Sequence, residues 1–414
     1  MFFNKGFLKR FFFRGHFSLM KKLRKAKIQN PIMVMGAIGA GNEQVFRSLV
    51  QNVLSIQKKD PGVRLIMFSS PGFLTVNHVT DIAQEDSIIL LDAFSKNEQS
   101  FSWDIAFDLT NQETIKAFSD GIVNGLFPDM VRNFAEELKS ALTRSIERLV
   151  NNSIKKTGSC VNWAWGDLVF ELAIEIKKLG SDSLISDSLS QICILFKNIQ
   201  DSWGPECLKF SINAWYDTKR FKELERKSGS FLDIKNRNVL VIKGAFKRNS
   251  MFPIKGFIEP KDQFTLIAHA FLSVFSAISP QPFKESKMSK PGTWLFLSDS
   301  MNIKLSKELI QNVFSNFKNK GLQVVFGSFG LSELDRCGEK IKNLVLSNIS
   351  DFIYLRNPAI STLDYAVKKF KKSERELLNL GPKTSGITSF CLDSRGKYVK
   401  KIMWPYLSWR KRQY

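Results

Sequence analysis

Apolar residues fall into two rhythms along this chain. One is the short unbroken run bounded by glycine, proline or charge, which marks a strand buried on both faces. Pro31-Ile32-Met33-Val34-Met35 is such a run, and it leads into Gly36-Ala37-Ile38-Gly39-Ala40-Gly41. The second rhythm follows at once: Val45, Phe46, Leu49, Val50, Val53, Leu54 and Ile56 recur at helical spacing. Lys58-Lys59-Asp60-Pro61-Gly62 ends that helix. Residues 63–68 and 87–92 read as two further buried strands. Strand, glycine turn, helix, strand and strand are the opening of a parallel α/β sheet.

From about residue 105 the pattern changes to helices, predicted over 126–150, 166–178 and 189–199. Strand character returns at 238–242, and an apolar helix spans 264–279. After a basic loop at 284–290 come a strand at 293–297, a helix at 305–318 and a strand at 322–326. A last strand at 352–355 follows a further helix, and no internal repeat is present. The expected division is a basic Phe-rich segment at 1–30, an α/β domain built from 31–104 and 236–400, an all-helical insertion at 105–235, and a basic aromatic tail at 401–414.

Charge adds a partner class to this outline. The 414 residues carry 61 Lys and Arg against 39 Asp and Glu, a net charge of +22. Such an excess predicts a polyanionic partner, nucleic acid or an anionic membrane face, bound in a salt-dependent way. Nine cations and no acid occupy residues 1–42, and seven phenylalanines interleave with the first of them. Lys9, Arg10, Phe11, Phe12 and Phe13 are the candidate membrane-surface residues there. The other end repeats the theme, with Lys397, Lys400, Lys401, Arg410, Lys411 and Arg412 around Trp404, Tyr406 and Trp409. Those cations are the nucleic-acid candidates; the competing reading packs the tryptophans on the body and leaves a solvated tail. The run Lys368-Lys369-Phe370-Lys371-Lys372 reads as a solvated helix face. Five scattered cysteines and three histidines exclude a disulfide framework and predict no metal site; His78 and His269 read as structural. No apolar run is long enough for a transmembrane helix.

Candidate chemistry sits in Gly36-Ala37-Ile38-Gly39-Ala40-Gly41-Asn42-Glu43. A phosphate loop has the form G-x-x-x-x-G-K-[ST] between a strand and a helix, so that backbone N–H groups surround a phosphate at the helix N-terminus. Here Gly36, Gly39 and Gly41 are in place, but Asn42 stands at the lysine and Glu43 at the Mg²⁺-binding hydroxyl. The segment is thus either a structural turn or a phosphate loop without its charge. The companion motif, a strand ending in carboxylates, corresponds to Trp294-Leu295-Phe296-Leu297-Ser298-Asp299, where either register leaves one carboxylate only. Asp299 reads equally as a helix N-cap.

In order and spacing, these segments resemble the TraD/TrwB family of type IV secretion coupling proteins, RecA-like hexameric ATPases that pump DNA in conjugation. Residues 87–93 and Phe101-Ser102-Trp103-Asp104-Ile105 look like the family's strand with its downstream Trp, and 294–299 like its Walker B strand. Residues 318–334, from Lys318-Asn319-Lys320-Gly321 to Glu333-Leu334, look like its "R-k-x-G-x-x-v-v-x-G-x-Q-s-x-x-Q-L" segment, with Cys337-Gly338 at its Tyr-Gly and 352–356 at its next strand. The resemblance spans about 30–400. It implies a RecA-like, P-loop NTPase-type, mostly parallel sheet with an inserted all-helical domain. Departures fall on the chemistry: Asn42, Glu43, the Ser298-Asp299 pair, and Phe329 at the sensor-like Gln. The family's pair of N-terminal membrane helices is also missing from this sequence.

The resemblance with its departures implies a coupling-protein homologue that binds DNA or secretion-channel partners, as a homo- or hetero-oligomer or beside a related active ATPase subunit, without efficient ATP hydrolysis. It would be cytoplasmic, at the cytoplasmic face of a bacterial inner membrane, with ATP and Mg²⁺ bound weakly if bound. Two alternatives stand beside it. One is an active ATP-driven DNA translocase in which Lys58 or a neighbouring protomer replaces the missing lysine. The other is a membrane-surface scaffold anchored by residues 1–27.

Overall fold

A computed structural model describes residues 31–69, 87–92, 94, 101–157, 163–180, 183–203, 207–216, 237–243, 260–278, 292–297, 307–311, 313–314, 322–349, 351–384, 386–392 and 399–406. In chain order the elements begin with β1 (Ile32–Met35), α1 (Asn42–Gln57), β2 (Arg64–Ser69), β3 (Ile88–Asp92) and β4 (Phe101–Trp103). Helices α2 (Gln112–Leu126), α3 (Arg132–Thr157), α4 (Trp165–Leu179) and α5 (Leu184–Ser202) follow. Next are β5 (Leu208–Phe210), β6 (Val239–Lys243), α6 (Pro260–Ile278), β7 (Thr293–Leu297) and β8 (Leu322–Ser328). The chain continues through α7 (Leu331–Arg336), α8 (Glu339–Asn348), β9 (Asp351–Tyr354) and α9 (Ile360–Phe370) to β10 (Gly381–Lys383), β11 (Gly386–Leu392) and β12 (Val399–Trp404). Contacts divide the chain into one compact unit of Met1–Ile88, Gln281–Met301 and Phe314–Tyr414 and a second of Ile89–Pro280 and Asn302–Val313.

In the first unit the strands lie in the order β10-β11-β9-β1-β8-β7-β2. The run from β9 to β2 is parallel throughout. β1 is central, with Val34 beside Gly327 of β8 on one side and Ile353 of β9 on the other. All four of its residues are buried, as are all five of β7 and all seven of β8. Continuous apolar runs are what a sheet covered on both faces demands. Helix α1 lays Phe46 edge-on against Phe296 of β7, with ring centroids 6.1 Å apart. Each such side chain contributes about 1.5–3 kcal/mol by leaving water.

Beyond β9 the sheet turns antiparallel, a part that apolar rhythm alone does not predict. β11 pairs with β9 and β10 on one side and with β12 on the other. Residues 401–404 therefore belong to a strand, which moves the start of any tail past the expected 401. Trp404 is fully buried and its Nε1 donates to Ser389 Oγ at 2.8 Å. The packed reading of this tryptophan is the one the structure has; Trp409 lies outside the described residues.

The second unit holds helices α2 to α6. The helix expected over 126–150 runs instead over Arg132–Thr157 as α3, because Leu126 ends α2 and the turn at 127–131 contains Pro128. The unit also begins earlier and ends later than the expected insertion, taking in most of β3, β6 and α6. Helices α2 and α6 cross closely because Gly125 lies against His269, where a Cβ would come within 2.6 Å of the ring. His269 is completely buried in that crossing, a packing role; His78 lies outside the described residues. Between α3 and α4, Glu175 receives Arg144 at 3.0 Å and Arg148 at 2.8 Å. Burial alone would raise Glu175, but those two guanidiniums outweigh it and hold the carboxyl below its ordinary range.

Asp108 ties the non-helical parts of this unit together. It ends a one-turn helix (Ile105–Asp108) and is completely buried. It accepts from Trp103 Nε1 (2.7 Å), Ser211 Oγ (2.7 Å) and the main-chain N–H of Ile212 (2.9 Å) and Asn213 (2.8 Å). Trp103 in turn anchors Trp165, whose Nε1 donates to the Trp103 carbonyl at 2.9 Å. The rings of Phe118, Trp165 and Phe271 pack around Trp103 at 5.5–6.2 Å.

Two outcomes test this packing. Burial, opposed by the four donors, raises the Asp108 carboxyl to about 6. The folded form then holds its proton up to that pH, while the unfolded chain releases it near 4. This group's contribution is complete below pH 4 and is lost as the pH rises through 6, about 3 kcal/mol in all. Asp108→Asn should therefore destabilise most in acid, with a penalty that shrinks between pH 4.5 and 7 in urea unfolding; a constant penalty contradicts the burial argument. Gly125→Ala should cost roughly 1–3 kcal/mol in the same measurement, because the added methyl overpacks a close helix crossing.

Candidate functional site

In open parallel sheets, ligands bind outside the carboxyl ends of the strands. The glycine loop leaves β1 at that edge, between the exits of β8 and β9. Its first residues are fixed by both neighbours: Gly36 N–H donates to Ser328 O at 3.2 Å and Ala37 N–H to Arg356 O at 3.0 Å. Ala40 N–H closes an inner turn on Ala37 O at 3.0 Å. Gly39 (φ 78) and Gly41 (φ 101) take left-handed conformations, so the chain can turn into α1 without steric cost. Among the described residues, the N–H groups of Ile38, Gly39 and Gly41 find no acceptor. The loop has the backbone outline of an anion-binding nest.

Its interior is filled by its own side chain. Asn42 is the first residue of α1 and is only 5% exposed. Its Nδ2 donates back across the loop to Gly36 O at 2.5 Å. Its Oδ1 is buried without a hydrogen-bond partner and lies 2.5 Å from where a Gly36 Cβ would stand. Glu43 follows in the first turn, half-buried, adding a carboxylate to the helix N-terminus. Gly36, Gly39, Gly41, Asn42 and Glu43 thus lie together in the loop and the first turn of α1.

Other partners of the loop carry no recognisable sequence motif. Ile387 of β11 packs on Gly41, where a Cβ would meet its side chain at 2.8 Å. Gly381 of β10 lies against Ala40 O and Arg356 Cβ. Arg356 is exposed at the end of β9, and Ile38 stands 82% exposed at the loop tip. The strands carrying Gly381 and Ile387 are distant from the loop in sequence, and only the paired sheet puts them there.

Phe329, the sensor-like position, follows β8 and is half-buried. Its main chain is clamped: Glu333 Oε2 accepts its N–H at 2.5 Å, and Asn357 Nδ2 donates to its carbonyl at 2.5 Å. Ser328 Oγ donates to the same Glu333 carboxylate at 2.9 Å. A phenyl ring here supplies neither donor nor acceptor. β7 is the second neighbour of β1, about 10 Å away at ordinary strand spacing, but Ser298 and Asp299 lie outside the described residues. So do Lys9, Arg10, Phe11, Phe12, Phe13, Lys397, Arg410, Lys411 and Arg412.

Lys58 is excluded as a substitute cation within the chain. It caps the far end of α1, and the helix's 16 residues span about 24 Å. Two of the described thiols are held in the protonated form. Burial pushes Cys193 up to about 11 and Cys391 up to about 12. Among the described residues no His, Cys, Asp and Glu cluster could hold a metal ion, and no helix is long and apolar enough to cross a membrane.

No protein-family model and no curated protein sequence matches the chain. Solved structures do. The plasmid coupling protein TrwB in complex with the non-hydrolysable GTP analogue GDPNP matches at 15% identity, TM-score 0.61, covering 93% of this chain and 88% of that one. TrwB in complex with ADP and Mg²⁺ matches at 14% identity and TM-score 0.62, over 93% and 87%. VirB4 of Thermoanaerobacter pseudethanolicus matches at 9% identity and TM-score 0.53, over 93% and 92%. At such identities the likeness concerns architecture: this chain has the α/β, P-loop NTPase-type fold of the TrwB coupling proteins.

Proposed function

We propose that this protein is a coupling-protein-like subunit of a type IV secretion or conjugation system that engages DNA and channel components without efficient ATP hydrolysis. One observation carries the reading: Asn42 donates to Gly36 O inside the loop where an anion-binding lysine would be needed. A magnesium–nucleoside triphosphate does not fit the residues present. The loop interior presents the Asn42 Oδ1 and the Gly36 carbonyl, two oxygens, and the adjacent Glu43 adds a negative charge to a site meant for phosphates. Turning the amide over would set Oδ1 against the Gly36 carbonyl instead, which is repulsive. The three free backbone N–H groups offer weak attraction for a small anion and no charge neutralisation.

The remaining role is docking. A net charge of +22 favours a polyanionic partner, and the fold shared with TrwB and VirB4 supports a place in a secretion apparatus. In this reading the protein works at the cytoplasmic face of a bacterial inner membrane, in an oligomer with itself or with a related active ATPase subunit. The basic phenylalanine-rich segment with Phe11, Phe12 and Phe13 adds attraction to anionic lipid.

Binding of a fluorescent ATP analogue with Mg²⁺ to the purified protein tests the reading. The expected result is no saturable binding up to millimolar nucleotide. The double change Asn42→Lys with Glu43→Thr should create binding at least tenfold above that background, since the glycines and neighbouring strands are in place. Micromolar binding by the unaltered chain, competed by ADP, would overturn the proposal and favour an active translocase.

A further inference from the structure

The lysine run at the end of α9 is not simply a solvated face. Lys369 Nζ stands 4.7 Å from the centroid of the Phe352 ring, and Lys372 Nζ 5.5 Å from that of Phe390. Lys371, between them, takes a left-handed conformation (φ 51) that turns the chain off the helix end. Phe352 lies on β9 and Phe390 on the adjacent antiparallel β11, where Leu392 faces Phe352 and Phe390 faces Tyr354. Directly opposed residues share a face, and side chains alternate with period 2. Phe352, Tyr354, Phe390 and Leu392 therefore share one face of the sheet.

That parity separates two neighbouring lysines of β12. Lys401 opposes Phe390 and joins the face over which Lys369 and Lys372 lie. Lys383 of β10 opposes Gly386 and belongs to the same face further along. Lys400 opposes Cys391 and belongs to the other face, where Ile387 meets the glycine loop. Residues 360–406 hold ten Lys and Arg against four Asp and Glu. Glu376, 3.4 Å from Lys372, is an exposed partner that an incoming phosphate can displace at small cost.

We propose that Lys369, Lys372 and Lys401, with Lys383 at the far end, form a surface that contacts the phosphate backbone of nucleic acid, and that Lys400 has no part in it. The proposal rests on the reading of the chain as a DNA-binding subunit and assigns the contact to one face of β9, β11 and β12. The rings beneath the ammonium groups are buried, Phe352 to 2% and Phe390 to 5% exposure. They hold the cations in place and are not free to stack on bases, so the contact is electrostatic and indifferent to sequence. With the rings turned inward, these lysines also lack the apolar wedge that favours a lipid surface.

Fluorescence anisotropy of a labelled mixed-sequence DNA duplex against the full chain, across a salt series, tests the surface. K372Q/K401Q should weaken binding at least tenfold and lower the log–log salt slope by about two, at roughly 0.9 per lost phosphate contact. K400Q should leave both unchanged, and thermal unfolding should report all variants as folded. Equal losses in K400Q and K401Q, or full binding by the double variant, would overturn the assignment while leaving DNA binding intact. If the unaltered chain binds no DNA at low salt, the underlying reading fails and the surface with it. A double variant that loses binding to phosphatidylglycerol vesicles but keeps DNA binding would assign the face to lipid instead.

Discussion

The pairing of β1 with β8 on one side and β9 on the other is the constraint from which the rest of the first unit follows. Two main-chain bonds at the strand end, from Gly36 to Ser328 and from Ala37 to Arg356, carry that register into the glycine loop. The glycines at 36 and 41 are then required by their neighbours. Gly36 has Leu355 and Asn42 against it, and Gly41 has Ile387. A loop held in this way keeps its shape whatever residue stands at the phosphate-binding position. The fold of the TrwB kind is thus held at this sheet edge by the protein's own contacts.

Asn42 illustrates how the difference is accommodated. A lysine at this place needs an anion or a carbonyl to compensate its buried charge; a neutral amide satisfies one carbonyl and leaves one oxygen orphaned. An unpartnered buried acceptor costs about 1–3 kcal/mol, far less than an uncompensated ammonium. The same logic holds at Phe329, where the main chain is kept in position by Glu333 and Asn357 and the side chain contributes no polar group. The scaffold of the site is stabilised by the protein itself.

Much of this was legible in the sequence because buried parallel strands are continuous apolar runs. Residues 32–35, 293–297 and 322–326 all announce themselves, and the glycine spacing locates the loop between the first of them and its helix. What escaped has physical reasons. Apolar helical rhythm continues across Pro128, so α3 reads as starting at 126 although it begins at Arg132. β10, β11 and β12 are short or mixed in polarity, and Lys400-Lys401 reads as a charged tail although strand alternation sends the two side chains to opposite faces. Asp108 binds four donors from segments a hundred residues apart, and no local pattern reveals that. The partners of the glycine loop on β10 and β11 were hidden in the same way.

The central claim is that the loop is closed by its own asparagine and holds no nucleotide. A crystal structure of the full chain grown with millimolar Mg-ADP tests it most directly. The account predicts the Asn42 amide on the Gly36 carbonyl, with no phosphate density between Ile38 and Glu43. Diphosphate density cradled by the N–H groups of residues 38–42, with the Asn42 side chain swung away, would contradict it.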